Sequence, residues 1–108
     1  MISKISGGLF ADDRGFLRFV NDFDFSNVKR FYQVENHSRG YIRAWHGHNK
    51  ESKYVYVAKG SALVGAGFKT LEEDTIVMFF STSTLSESHG DDIRFPWDKW
   101  NIWEENYR

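Results

Sequence analysis

Short apolar runs alternate with polar turn residues along this chain at intervals of roughly eight to twelve positions, the spacing of an all-β sandwich or barrel. Helical periodicity is weak throughout. The pattern predicts strands over 8–11, 15–21, 28–36, 41–48, 54–59, 61–65, 68–71 and 75–81. Tyr54-Val-Tyr-Val-Ala58 is β-branched and aromatic, the composition that fits a pleated, half-buried surface. Asp12-Asp13-Arg14-Gly15, Ser38-Arg39-Gly40 and Lys59-Gly60-Ser61 read as tight turns. Glu72-Glu73-Asp74 reads as an acidic, solvated hairpin tip, and 85–92 as polar and irregular. The aromatic stretch Phe95 to Trp103, with the chain's one proline, is expected to cover the barrel. No repeat or low-complexity linker breaks the pattern, so 1–108 is expected to form a single domain.

Composition narrows the function classes. A length of 108 residues suits one small domain with one core. The formal charge of −1 gives no general attraction for nucleic acid. Cysteine is absent, which removes disulfides and thiolate chemistry and fits a reducing compartment. No apolar run approaches the roughly 18 residues of a membrane helix, and the first residues lack a signal-peptide pattern. A soluble, cytoplasmic protein with no membrane partner is therefore expected. Aromatics make up 18% of residues, enough for aromatic β layers, an aromatic-lined pocket, or both.

The candidate chemistry lies between Gly40 and Gly60. Arg43, His46, His48, Glu51 and Lys53 fall within eleven residues, followed at once by an apolar strand. His46 and His48 are two apart, so an extended strand would point both to one face. Polar groups on a buried face are costly unless they line a cavity. Three readings of the two histidines are open. They could be metal ligands, hydrogen-bonded core residues, or general acid–base groups flanked by cations that bind an anion or stabilise an enolate.

Two motif sets bear on these readings. Gly40, His46, His48, Glu51 and Gly60 approximate the first motif of metal-binding cupins. The glutamate comes early, however, and the third ligand would have to be His89, which lies in a Ser-rich stretch. Asp13-Arg14-Gly15, then Glu35-Asn36-His37-Ser38, then Gly40-Tyr-Ile-Arg-Ala-Trp-His46, then Lys53 and a strand closing at Gly60 cover residues 8–64 in order. This series resembles the dTDP-4-keto-6-deoxyhexose 3,5-epimerase family. The resemblance implies a cupin-type jelly-roll β-barrel acting on a nucleotide-linked keto-deoxysugar, with no metal and no organic cofactor. It makes His46 the base that removes a proton beside the ketone. It sets Arg43 and Lys53 at the sugar and the enolate oxygen. Arg14 would meet the diphosphate across a homodimer, and Asn36 and Ser38 would lie on the nucleotide side. The His-x-His form is also similar to sugar 3,4-ketoisomerases of the same superfamily, in which His48 would be a second proton-transfer or sugar-contact group.

The chain departs from the family pattern in places. Ala44 replaces the glycine after the motif arginine, and Arg18 and Phe19 stand where an acidic residue is expected. No tyrosine follows the 75–81 strand to serve as the acid. The late aspartate that orients the base would be Asp98 or Asp92. After Val64 the family has about thirty residues that this chain lacks. Either Gly65-Ala66-Gly67 forms a tight hairpin or a segment is missing there, and the second is the expectation, because a barrel without those strands exposes edges. The expected activity is that of a cofactor-independent isomerase, an epimerase or ketoisomerase. The rivals are a metal-binding cupin and a non-catalytic sugar-binding module.

Overall fold

The computed structural model describes residues 3–100 and Trp103. The regular structure is almost all β-strand, in the order β1 Gly8–Asp12, β2 Gly15–Phe19, β3 Arg30–Glu35, β4 Ile42–Arg43, β5 His46–Gly47, β6 Lys53–Lys59, β7 Ala62–Val64, β8 Phe68–Thr70, β9 Ile76–Ser81 and β10 Ile93–Arg94. One helix, α1, spans Leu85–His89. All pairings are antiparallel. They make two three-stranded sheets, β3-β9-β6 and β4-β8-β7, and two ribbons, β1-β2 and β10-β5. No closed barrel forms among the described residues.

The two three-stranded sheets share the core. Phe68 from β8 packs with Val77 and Phe79 from β9. Tyr32, Val34, Val57, Ala62 and Val64 close around them. Register explains which side chains face inward. Val34↔Val77↔Val57 form one cross-strand row, and Arg30↔Ser81↔Lys53 form another at the far end of the same face. The opposite face carries Phe31, Tyr54 and Phe80, with Phe23 and Phe25 edge-on to them.

The predicted 41–48 strand is split. Arg43 pairs with Phe68 of β8, but Trp45 exchanges both backbone hydrogen bonds with Phe95, at 3.0 and 3.1 Å. His46 then pairs with Arg94. The chain thus leaves one sheet and joins another ribbon across Ala44 and Trp45. Trp45 is buried against Trp103 and Trp100, and its indole N–H donates to the Trp97 carbonyl. Of the Phe95–Trp103 stretch expected to cover a barrel, Trp103 is buried beside Trp45 while Phe95, Trp97 and Trp100 stay exposed, and residues 101 and 102 lie outside the described residues.

Three further expectations are corrected. Glu72–Asp74 is a crossover rather than a hairpin tip, because β8 and β9 belong to different sheets. The 85–92 segment contains α1, capped when the Thr84 hydroxyl accepts from the Glu87 N–H and the Glu87 carboxylate accepts from the Thr84 N–H. At 65–67 the missing-segment expectation gives way to a hairpin. The Gly65 N–H donates to the Gly67 carbonyl at 2.7 Å, and Val64 pairs directly with Phe68.

Candidate active site

The Arg30–Ser81–Lys53 row ends the inner face of the β3-β9-β6 sheet, and the site is built on it. Tyr32 and Phe79 stack with ring centroids 5.1 Å apart and form a floor. The Arg30 guanidinium lies 4.9 Å from the Tyr32 ring, and the Lys53 ammonium is 5.8 and 6.0 Å from the Tyr32 and Phe79 rings. Both cations are attracted by the ring faces, which fixes their direction. Arg30 is further tied by donating from Nε to the Ser83 carbonyl at 3.1 Å.

Glu51 enters this cationic row from the loop before β6. Its side chain has no solvent exposure. Lys53 Nζ is 3.4 Å from Oε2, Arg30 Nη2 3.7 Å, and His48 Nε2 3.8 Å. Neither carboxylate oxygen has a hydrogen-bond partner among the described residues, and neither does His48 Nε2. Burial raises the Glu51 pKa. The nearby Ser88 hydroxyl, Lys53, His48 and the Ser81 hydroxyl lower it, and the net result is a carboxyl below its ordinary value. The two serines act without completing a hydrogen bond by strict geometry. A buried carboxylate facing two cations and an imidazole, with no hydrogen bond, is an electrostatic hub, not a structural tie.

Asp91 holds the loop that presents these groups. Its carboxylate accepts from the backbone N–H groups of Asn49, Lys50 and Glu51 at 2.8 to 3.0 Å. These bonds hold its own pKa below the ordinary carboxylate range. The Asp91 carbonyl lies 2.8 Å from His48 Nδ1. A carbonyl only accepts, so Nδ1 carries a proton and Nε2 faces Glu51.

His46 is half-buried on β5. Burial lowers its pKa most, Arg94 and Lys53 lower it further, Asp92 opposes them, and His48 adds a small lowering. An imidazole held neutral beside two cations can accept a proton near neutral pH. Lys53 and His48 both act on His46, although β5 ends at Gly47 and His48 lies beyond the strand. The acidic group acting on His46 is Asp92, ion-paired to Arg94 at 2.6 Å, and not Asp98. Asp98 is exposed on the Phe95–Trp100 stretch.

Arg43, Asn36 and Ser38 form a second group. Arg43 Nε donates to Asn36 Oδ1 at 2.8 Å, and Asn36 Nδ2 donates to the Tyr41 carbonyl at 3.1 Å. The Thr70 hydroxyl meets Asn36 Nδ2 and the Ser38 carbonyl at the limit of hydrogen bonding. Asn36 thereby orders the β3–β4 connection and aims Arg43. Arg14 lies apart, exposed on the β1–β2 tip and ion-paired with Asp12.

No family model matches this chain, and neither a curated protein nor a solved structure is significantly similar to it. The likeness to the keto-sugar epimerases therefore rests on its motifs alone. Among the described residues, no three His, Cys, Asp or Glu side chains converge as a metal-ligand set. No helix among them is long and apolar enough to cross a membrane.

Sequence reasoning missed Arg30, Asp91 and Arg94, and gave Glu51 only a metal-binding role. Arg30 joins the site because β9 lies between β3 and β6, a pairing with no local signal. Asp91-Asp92 carried a readable signal, two adjacent carboxylates after a helix-capping pattern.

Proposed function

We propose that this chain is a cofactor-independent isomerase of nucleotide-linked keto-deoxysugars, an epimerase that works through an enolate. His46 takes the proton from the carbon beside the ketone. The C–H electron pair moves into the carbonyl, making the enolate, and His46 becomes imidazolium. Lys53 lies on the cationic side and stabilises the developing oxyanion. Water delivers a proton to the opposite face of the carbon, the enolate electron pair re-forms the C–H bond and the ketone, and His46 releases the first proton to solvent. Arg43 contacts the sugar from the Asn36 side, with Asn36 and Ser38 toward the nucleotide. The reaction needs no metal or organic cofactor, because the ketone already acidifies the carbon.

The observation that carries this reading is the half-buried His46, made less basic by burial and by Arg94 and Lys53. The test is solvent-deuterium incorporation into dTDP-4-keto-6-deoxyglucose. His46→Asn should cut incorporation by roughly 10²–10⁴-fold while leaving nucleotide binding intact. Near-wild-type exchange in that variant would remove His46 from the mechanism. A second reading, a 3,4-ketoisomerase, is favoured by the buried, unpartnered His48 Nε2. Its product, with the carbonyl moved, separates it from the epimerase.

The finer architecture we propose is an open cupin-type jelly roll, supported by two antiparallel sheets around one core. We also propose a cytoplasmic homodimer. The β1–β2 ribbon exposes Leu9, Phe10, Phe16 and Leu17, and an apolar groove runs between it and Val55, Tyr56 and Phe80. An isolated two-stranded ribbon is marginal in water, so this surface calls for a partner. A second copy would bring its Arg14 to the diphosphate. Light scattering should give twice the 12.7 kDa chain mass, and a monomer would refute the dimer.

A further inference from the structure

The Glu51 carboxylate faces two cations and an imidazole that lie on separate parts of the chain. Lys53 is on β6, Arg30 on β3 and His48 on the turn after β5. All three approach the same oxygen, Oε2. None of the three completes a hydrogen bond, and both carboxylate oxygens remain unpartnered although fully buried. A group arranged for stability would complete those bonds, because a buried ion without them loses more in desolvation than it gains. Asp91 spends its whole carboxylate on the three N–H groups leading to Glu51. The fold therefore holds the carboxylate in a costly position. From there it draws Lys53, which lies over the Tyr32–Phe79 floor, and faces His48 Nε2.

We infer that Glu51 is a positioning residue, the counter-charge that aims the Lys53 ammonium at the substrate beside the His48 ring, with Arg30 as its second cationic neighbour. The part of this role that concerns substrate rests on the function proposed above. The part that concerns Lys53 does not. Removing the charge frees Lys53 and Arg30, which are partly exposed and can turn to water. Stability therefore need not fall when catalysis does.

The test compares wild type with Glu51→Gln and Glu51→Asp. Nitrogen-15 NMR should show an exchange-protected Lys53 ammonium in wild type. It should be lost in Glu51→Gln and return in Glu51→Asp. Deuterium incorporation should show kcat reduced roughly 10²-fold in Glu51→Gln, the effect of a small misplacement, with KM little changed. The melting temperature should hold or rise. A fall of more than about 8 °C, or failure to fold, would make Glu51 a structural tie and overturn the inference. A protected signal that persists in Glu51→Gln, or is missing from wild type, would overturn it too, as would an unchanged kcat. Should wild type exchange no deuterium, the proposed reaction fails, while the NMR comparison still decides the positioning role.

Discussion

Phe79 links the stability of this domain to its candidate chemistry. It is almost fully buried, stacks on Tyr32 at 5.1 Å and meets Phe68 at 5.4 Å. A buried phenylalanine hides about 150–250 Å², which at about 25 cal/mol per Å² comes to about 4–6 kcal/mol, an upper bound. Truncation to alanine in a core typically costs about 3–5 kcal/mol once the cavity is included. A domain of this size has about 5–15 kcal/mol in total. Phe79→Ala should therefore leave a marginal fold. Phe79→Leu keeps most of the volume and should cost about 1–2 kcal/mol. It also removes the ring face 6.0 Å from Lys53. Urea titration followed by tryptophan fluorescence measures both variants, and Trp45 and Trp103 are buried reporters. The expected outcome is a large fall in midpoint for alanine. For leucine we expect a small fall together with a clear loss of turnover. An alanine variant within about 1 kcal/mol of wild type would refute the placing of Phe79 at the core. A leucine variant with full turnover would refute its role as the floor of the site.

Two predictions concern pH. Because the His46 pKa is lowered, deuterium exchange should stay flat through neutrality and fall on the acid side with a midpoint below 6.5. Only the neutral ring accepts a proton, so a midpoint above 6.5 would contradict the assigned environment. The same depression means that the unfolded chain takes up this proton first as pH falls below 6.5, so His46 destabilises the fold in acid. The Glu87 pKa is lowered to about 2, first by the Thr84 backbone bond and then by Lys29. Its stabilising contribution is fully present above the ordinary value of 4.5 and is lost as pH falls through about 2. Glu87→Gln should flatten that part of the acid-denaturation curve, and an unchanged curve would count against the capping box.

Much of the strand content was legible in the sequence, because β-branched and aromatic runs between turn residues are local signals. Each of the eight expected strands has a counterpart, with 41–48 divided at Trp45. The helix was missed although Thr84-Leu-Ser-Glu87 carries the capping pattern, since five residues are too few to show a period. Which strands pair was not legible. Nothing local to Arg30 or Lys53 says that Ser81 will lie between them. The His46, His48 and Lys53 cluster was readable because it lies within one short segment. The Glu51 hub was not, because two of the residues that define it, Arg30 and Asp91, are distant in sequence. Asp98 and Asp92 were both candidates for the orienting carboxylate, and the sequence cannot show which of them the β5–β10 ribbon brings beside His46.

The crossing at Trp45 has a dynamic consequence. His46 sits on the β5–β10 ribbon, Lys53 on one three-stranded sheet and Arg43 on the other. No common ladder of backbone hydrogen bonds fixes their spacing, so it follows the packing between layers. Slow breathing of one layer against another, on the microsecond-to-millisecond scale of collective motion, changes the distance between base and ammonium directly. The amides of Trp45 and His46, bonded to Phe95 and Ala66, lie on that seam. Their hydrogen exchange would report the opening of the site before any loss of the Val77–Phe79 core.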